Sequence, residues 1–230
     1  AEEFENYNLG LVWDVTRDWD MSLDWWRITN EDAVTNNPQF YVNNIALYPD
    51  NVELNPDGSI AYIESNFQNI AAQKLWGLDF SSTRRWINSR SGDYALTLVA
   101  TYLGSYEVEP VSGAGFEDIA GDDGRPRLRG QTRLNWDRGD YDAIATLNYV
   151  GSYDRPDASD SIASWTTLDV RLGWQPRSLR GGKFSLGIDN IFDREPPVDA
   201  FLEGWPFVNR ALHNPRGRFF YLGYTHDFGA

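Results

Sequence analysis

The sequence predicts an all-β chain whose antiparallel strands cross a membrane as part of a β-barrel. Three observations support this fold class. Apolar and polar residues alternate in repeated segments of about ten residues, the connections between these segments are alternately short and long, and 15% of the residues are aromatic, ten of them Trp. Amphipathic rings in such numbers suit the two interfaces of a membrane.

A helical membrane protein is excluded by the polar residues. A spanning helix needs about 18 uninterrupted apolar residues, and Asp, Arg, Asn or Gly interrupts every apolar run of this chain. A strand that crosses a membrane needs only about 10 residues, and half of them can be polar.

Charge and cysteine content exclude further classes. The chain carries 20 basic and 34 acidic side chains, a net charge of −14, which repels phosphate groups and argues against nucleic-acid binding. The absence of Cys excludes disulfide scaffolds and thiolate metal sites. The acidic residues Glu117, Asp118, Asp122 and Asp123 lack EF-hand spacing and are interpreted as a solvated loop. We expect no metal and no cofactor.

Alternation with a period of two predicts about nine crossing strands. In residues 141–153, one face carries Tyr141, Leu147 and Tyr149, whereas the other carries Asp142 and Asn148. The predicted strands cover residues 7–15, 19–30, 73–85, 93–105, 127–136, 141–153, 165–174, 183–192 and 218–228.

The lengths of the connections distinguish a membrane barrel from a soluble sandwich, because strands alternate in both. Short and long connections alternate strictly, so all the short turns lie at one rim and all the long loops at the other, as in outer-membrane barrels. Residues 59–67 also alternate. A tenth crossing there would place the short turn near Thr16 at the long-loop rim, so we expect this segment to lie outside the membrane.

Five segments, taken in order, resemble parts of TonB-dependent outer-membrane receptors. ENYNLGLVWDV and MSLDWWRITNEDAV are similar to a mid-barrel hairpin and GLDFSSTRRW to a later strand. LGIDNIFDREPP resembles the penultimate strand with its loop, and NPRGRFFYLGYTHDF the last strand. The resemblance implies a bacterial outer-membrane protein with a barrel of about 22 strands around a plug. Residues 1–230 would then be the C-terminal portion of the barrel, with the plug domain and the first strands lying elsewhere.

Particular residues are assigned roles on this basis. Asn190 and Asp193 can bond locally to backbone where the penultimate strand ends. The last strand resembles the signal for the outer-membrane assembly machinery, with Tyr221, Gly223 and Phe228 at the matching positions, whereas His226 stands where a hydrophobic residue is usual.

The resemblance implies active import of a scarce solute, of siderophore, cobalamin or oligosaccharide type, by a receptor that is not an enzyme. The partners would be the remaining strands, the plug, the TonB complex and that solute. Candidate solute contacts lie in the last loop and on an arginine-bearing strand face: Trp205, Phe207, Arg210, His213, Arg127, Arg129 and Arg133. Three alternatives stay open: a passive porin, a barrel enzyme of about ten strands and a soluble carbohydrate-binding sandwich.

Overall fold

A computed structural model of the chain describes residues 2–36, 38–46, 48–65, 68–110, 113–122, 124–155, 160–199, 202 and 205–228. In chain order its strands are β1 (Glu3–Thr16), β2 (Trp19–Thr35), β3 (Val52–Leu54), β4 (Ile60–Ile63), β5 (Gln68–Ser89), β6 (Gly92–Glu109), β7 (Glu117–Asp118), β8 (Leu128–Arg138), β9 (Tyr141–Val150), β10 (Tyr153–Asp154), β11 (Ser161–Ile162), β12 (Trp165–Trp174), β13 (Gly182–Asp189) and β14 (Phe219–His226). The helical elements are α1 (Pro38–Asn43) and two 3-10 turns, Pro49–Asn51 and Arg177–Leu179.

Nine of these strands lie side by side in one sheet, in the order β1-β2-β5-β6-β8-β9-β12-β13-β14, and the short β7 pairs with β6. The pairs from β6 to β14 are antiparallel. The strand order follows the chain, so the nine predicted strands and their up-and-down topology are confirmed. Within the described residues β1 and β14 are the two edges of this sheet, which is not closed.

Residues 59–67, which we expect outside the membrane, contribute no strand to the large sheet where they are described. Ile60–Ile63 pairs with Val52–Leu54 as a separate two-stranded sheet. Asn66 and Phe67, which close the predicted segment, lie outside the described residues.

Several predicted strand ends were wrong, for local reasons. The strand β9 ends at Val150 instead of residue 153. The Gly151 amide still donates to the Leu128 carbonyl, but the chain then leaves the sheet and continues in β10, which pairs with β11. A Cβ at Gly151 would lie 2.8 Å from that carbonyl oxygen. The strand β13 ends at Asp189 instead of residue 192, because Asn190 takes a left-handed conformation (φ 50°). The strands β2, β5 and β6 run further than predicted at their long-loop ends.

The short connections contain ordinary turn chemistry. Gly139, between β8 and β9, has φ 62°, which residues other than Gly, Asn and Asp rarely adopt. At the turn between β1 and β2, the Asp18 amide donates to the Thr16 hydroxyl at 3.3 Å.

The chain divides into two compact units. The first consists of Ala1–Asn8, Trp26–Trp76 and Gly104–Ile119. In it the Asn30 amide donates to the Glu2 carboxylate at 3.0 Å, and the Tyr106 hydroxyl donates to the Gln73 side chain at 3.2 Å. The second unit consists of Leu9–Trp25, Gly77–Leu103 and Ala120–Ala230, and the features described below belong to it.

None of the helices in the described part of the chain is long and apolar enough to span a membrane.

Candidate functional site

One face of β9, β12, β13 and β14 is apolar and exposed. Leu172 lies opposite Leu186, which in turn lies opposite Leu222, so the three leucines form a row across three strands. Leu222 is 77% exposed. Soluble monomers rarely expose a continuous surface of this kind, whereas a barrel wall presents it to lipid.

Aromatic residues line this apolar face near the short connections. Four of these rings are neighbours in register across four strands: Tyr141, Trp174, Phe184 and Tyr224. The ring centroids of Trp174 and Phe184 are 6.0 Å apart, and those of Phe184 and Tyr224 are 5.0 Å apart. Rings at one level suit the boundary between hydrocarbon and water.

The opposite face is polar, and its side chains bond across the strands. The Gln131 amide donates to Asn148 at 2.9 Å, and the Asn148 amide donates to the Asp169 carboxylate at 2.8 Å. Further along the sheet, the Thr101 hydroxyl donates to Asp79 at 2.6 Å. This face therefore presents carboxylates, amides and hydroxyls in fixed positions.

A recess of about 870 Å³ lies on the polar face. Its wall includes four carboxylates and one guanidinium, Asp24, Asp79, Asp169, Asp189 and Arg129. Leu212, Asn214 and Gly217 of the connection between β13 and β14 also line it. Its residues in β8, β9, β12 and β13 lie near the long-loop ends of those strands, whereas Asp24 and Asp79 lie well inside β2 and β5. Such a concavity can hold a solute that makes many hydrogen bonds.

Near the other end of the polar face, three charged side chains form a cluster. The Asp142 carboxylate accepts from Arg171 at 3.2 Å and also pairs with Lys183, two strands away. Asp142 reaches that far because Gly173, which lies opposite it on the intervening strand, has no side chain. This cluster joins β9, β12 and β13.

The base of the long connection between β13 and β14 is held by Asn190. Its backbone amide donates to Asp169 at 2.8 Å, and its side chain bonds to both the amide and the carbonyl of Arg194, each at 2.9 Å. The expected local bonding to backbone is confirmed for Asn190, whereas Asp193 accepts from the Arg218 amide, 25 residues further along the chain.

Three of the predicted contact residues lie together in this connection. Trp205 is 80% exposed, and its carbonyl accepts from the Arg210 guanidinium at 2.6 Å. Phe207 is exposed and has φ 59°. The indole ring of Trp205 is thus available to a ligand, whereas Arg210 is partly occupied in holding the backbone.

The fourth residue of that group, His213, lies inside the loop base. It is 2% exposed, its ring stacks on Tyr153, and it meets the Trp165 ring edge-on at 5.3 Å between centroids. Burial first, and the Arg129 charge second, lower the pKa of His213 below its usual value of 6.5.

Two of the three arginines that the alternation places on one face lie within β8. Arg129 and Arg133 lie in β8 opposite Val150 and Thr146, on the polar face, and of the two only Arg129 lines the recess. Arg127 precedes β8, where its carbonyl accepts from the Leu103 amide at 2.8 Å.

The residues of the expected assembly signal lie along and beyond β14. The Tyr221 ring covers Gly187 of β13, and Gly223 lies against the Ser185 hydroxyl. Phe228 follows the end of the strand and is 92% exposed.

The carboxylates of the recess were not singled out from the sequence. Three of these carboxylates stand between apolar neighbours in their strands, as Arg129 does: Asp24, Asp79 and Asp169. The alternation of polar and apolar residues could therefore have identified them. It does not predict which strands pair, and the pairing is what brings these carboxylates to one concavity.

The described residues contain no group of three or more potential metal ligands. In the part of the chain that the structure covers, neither ring nitrogen of His213 is hydrogen-bonded, and His226 bonds to the Tyr224 hydroxyl at 3.1 Å.

Comparison with known proteins identifies the family. A profile described as TonB dependent receptor-like, beta-barrel, matches residues 1–191. The chain belongs to this family. Its strand order, apolar outer row and polar inner face are those expected of a segment of a TonB-dependent receptor barrel.

Solved structures show the same fold. The outer-membrane transporter YddB from Escherichia coli matches with a TM-score of 0.69 and 13% identity, over 99% of this chain and 33% of that one. A mutant of the ferric enterobactin receptor from Pseudomonas aeruginosa matches with a TM-score of 0.64 and 17% identity, over 99% of this chain and 31% of that one. The copper transporter OprC matches with a TM-score of 0.64 and 14% identity, over 99% and 31%.

No curated protein matches this chain. The chain spans about a third of the length of the solved receptors that it resembles. As part of a TonB-dependent receptor barrel it is an outer-membrane protein, and its relatives are receptors and transporters, not soluble sandwiches.

Proposed function

We propose that the intact protein is an outer-membrane importer driven through TonB, and that this chain supplies part of its barrel wall and loops. Membership of the receptor family supports the general activity. The observation that carries the proposal is the polar recess at the loop end of the inner face. An outer-membrane receptor needs a place of this kind for a solute that arrives from outside.

Arg129 and Trp205 are the proposed primary contacts for the solute. Arg129 is exposed, lines the recess and offers five N–H donors in a fixed plane. Trp205 presents an exposed ring in the same long connection that supplies Leu212 and Asn214 to the recess. Arg210 supports Trp205 through the Trp205 carbonyl, and the exposed Phe207 is a further candidate contact in that connection.

We propose other roles than primary contact with the solute for three of the candidate residues: His213, Arg127 and Arg133. The buried ring of His213 offers almost no surface to a solute, so we assign it to positioning the loop. Arg127 and Arg133 do not line the recess and would contact only a solute that extends beyond it.

The solute is proposed to be of siderophore, cobalamin or oligosaccharide type. Each of these is large and rich in hydrogen-bonding groups, as is the wall of the recess. The solved relatives include a ferric enterobactin receptor and a copper transporter, which is consistent with import of scarce metals or their chelates.

Further parts of the same receptor are proposed as partners. The edges of β1 and β14 carry backbone groups that the sheet does not pair, and hydrocarbon offers them no hydrogen bonds. The remaining barrel strands would cover these edges, a plug would fill the lumen, TonB would act on the plug, and the assembly machinery would read Tyr221, Gly223 and Phe228.

Uptake by the full-length receptor tests the proposal. Cells that express it are supplied with candidate ferric chelates, cobalamin or oligosaccharides, with and without a functional TonB. We expect binding in both strains and uptake only where TonB acts. Uptake that continues without TonB would show a passive porin instead.

A pair of variants tests the recess within the same receptor. Arg129→Ala should weaken binding of the imported solute by about tenfold or more, because a charged hydrogen-bonding partner is lost. Arg133→Ala, on the same strand face but outside the recess, is the matched control and should bind normally. Equal loss in both variants would contradict the assignment of the recess.

A further inference from the structure

The ring of His213 occupies an aromatic box. It stacks on Tyr153 at 6.3 Å between centroids, with the planes 17° apart, and it stands at 88° to the Trp165 ring at 5.3 Å. Among the residues that the structure describes, neither His213 ring nitrogen has a hydrogen-bond partner. A polar ring so deeply buried is held by packing alone.

The box joins the last long connection to other parts of the second unit. Tyr153 belongs to β10 and Trp165 opens β12, whereas His213 belongs to the connection between β13 and β14. Trp165 also donates from its indole N–H to the Glu195 carbonyl at 3.1 Å, near the start of that connection. His213 is therefore the point at which the later part of the connection is fastened.

The chemistry of the box favours a neutral imidazole. Protonated His213 would carry two N–H donors and a charge, and the rings around it offer no carbonyl or carboxylate acceptor. Tyr153 of β10 and Trp165 of β12 face the ring, and the Arg129 guanidinium of β8 repels a second positive charge. Burial and this repulsion both lower the pKa of His213.

We propose that the His213 box is an acid-sensitive latch, in which uptake of one proton by the ring releases residues 209–217 from Tyr153 and Trp165. Leu212, Asn214 and Gly217 line the recess, so release of this segment alters the recess wall. The latch is independent of the identity of the solute and of TonB.

A second tie joins the same loops without involving the imidazole. Arg155 pairs with Asp199 at 3.3 Å. The two ties are separated by removing the imidazole and keeping the ion pair.

The absence of cysteine permits a clean test in the full-length receptor. Provided that the rest of the receptor also lacks Cys or has it replaced, Ala211→Cys places one spin label on the exposed side of the segment, two residues from His213. The mobile fraction of the label is measured in nanodiscs from pH 7.5 to pH 4.5. We expect the ratio of mobile to immobile label to rise as the pH falls, by up to about tenfold per pH unit for a single proton.

Two histidine variants decide the result. His213→Phe fills the box with an uncharged ring and should keep the label immobile throughout, whereas His226→Phe, which removes the other histidine, should leave the transition unchanged. If the Phe variant does not assemble, His213→Gln provides an uncharged substitute. A label that stays immobile down to pH 4.5 in the unmodified receptor would overturn the proposal. An identical transition in the His213 variant would overturn it as well, since the proton would then act elsewhere.

Discussion

The backbone amide of Arg218 donates to the Asp193 carboxylate at 2.8 Å, and the two side chains also form an ion pair at 3.5 Å. Asp193 lies where the last long connection leaves β13, and Arg218 lies where it enters β14. One side chain thus closes a connection of more than twenty residues at its base. Asp193 itself adopts φ 53°, a conformation that Asp tolerates better than most residues.

Replacement of Asp193 should loosen this closure. We expect Asp193→Ala to lower the free energy of unfolding by about 1–3 kcal/mol, because the Arg218 amide loses its acceptor and Ala is strained at positive φ. Thermal unfolding of the full-length receptor in detergent measures the change, and hydrogen exchange at the Arg218 amide localises it.

Asp193→Asn is the control for this variant. Asn keeps an acceptor oxygen and tolerates the left-handed conformation, while the charge that pairs with Arg218 is removed. We expect a loss below about 1 kcal/mol, since exposed ion pairs contribute little. If the Asn and Ala variants were equally unstable, the charge and not the hydrogen bond would be holding the loop.

A second prediction concerns Gly173, which leaves room for the Asp142 carboxylate between β9 and β13. A Cβ at Gly173 would collide with that carboxylate. Gly173→Ala should therefore displace Asp142 from Lys183 and destabilise the receptor by about 1–3 kcal/mol, measured by the same unfolding assay.

A double variant separates this collision from other effects of the methyl group that Gly173→Ala adds. In Asp142→Ala the carboxylate is already gone, so adding Gly173→Ala should cost much less than it does in the unmodified receptor. Fully additive losses would show that Gly173 is required for some other reason than space for Asp142.

The strand pattern of the sheet was predictable because each strand has one apolar and one polar face. The pattern predicts both ends of β12 correctly, at residues 165 and 174, because a Trp stands at each end of the strand. The alternation of short and long connections then fixed the strand order, because antiparallel neighbours leave few other arrangements.

The candidate site was less predictable, because its members come from different strands and loops. The sequence predicts His213 as a solute contact because it lies in a long loop. Its burial depends on Tyr153 and Trp165, which lie about fifty to sixty residues earlier in the sequence. Residue 153 likewise lies outside β9, because Tyr153 and Asp154 pair with β11 in a separate sheet, a partner that sequence alternation does not encode.

A third prediction tests which face of the sheet meets lipid. Leu186 lies in the middle of the apolar row, so Leu186→Arg should destabilise the receptor by about 2–4 kcal/mol, as charges do near the bilayer midplane. Unfolding in lipid bilayers measures this loss.

The neighbouring residue on the same strand supplies the matched control. Ser185 points to the polar face, so Ser185→Arg should be tolerated much better than the Leu186 variant. Tyr224→Arg, in the aromatic row, should cost about 0–1 kcal/mol, because it lies near the interface. An Arg that is tolerated at position 186 but not at 185 would mean that the faces are reversed.

The last prediction concerns the pH dependence of stability that His213 causes. Its pKa is lowered in the folded receptor, so between the folded pKa and 6.5 the unfolded chain binds more protons than the folded one. The contribution of neutral His213 is therefore complete above pH 6.5 and is lost as the pH falls below 6.5 toward the folded pKa. The free energy of unfolding should decrease by at most about 1.4 kcal/mol per pH unit from this residue. The difference between unmodified receptor and His213→Phe, measured by thermal unfolding at pH 8 and at pH 5.5, isolates it from the carboxylates. We expect the variant to lose less stability on acidification, and an equal loss in both proteins would show that His213 titrates alike in the folded and the unfolded chain in this range.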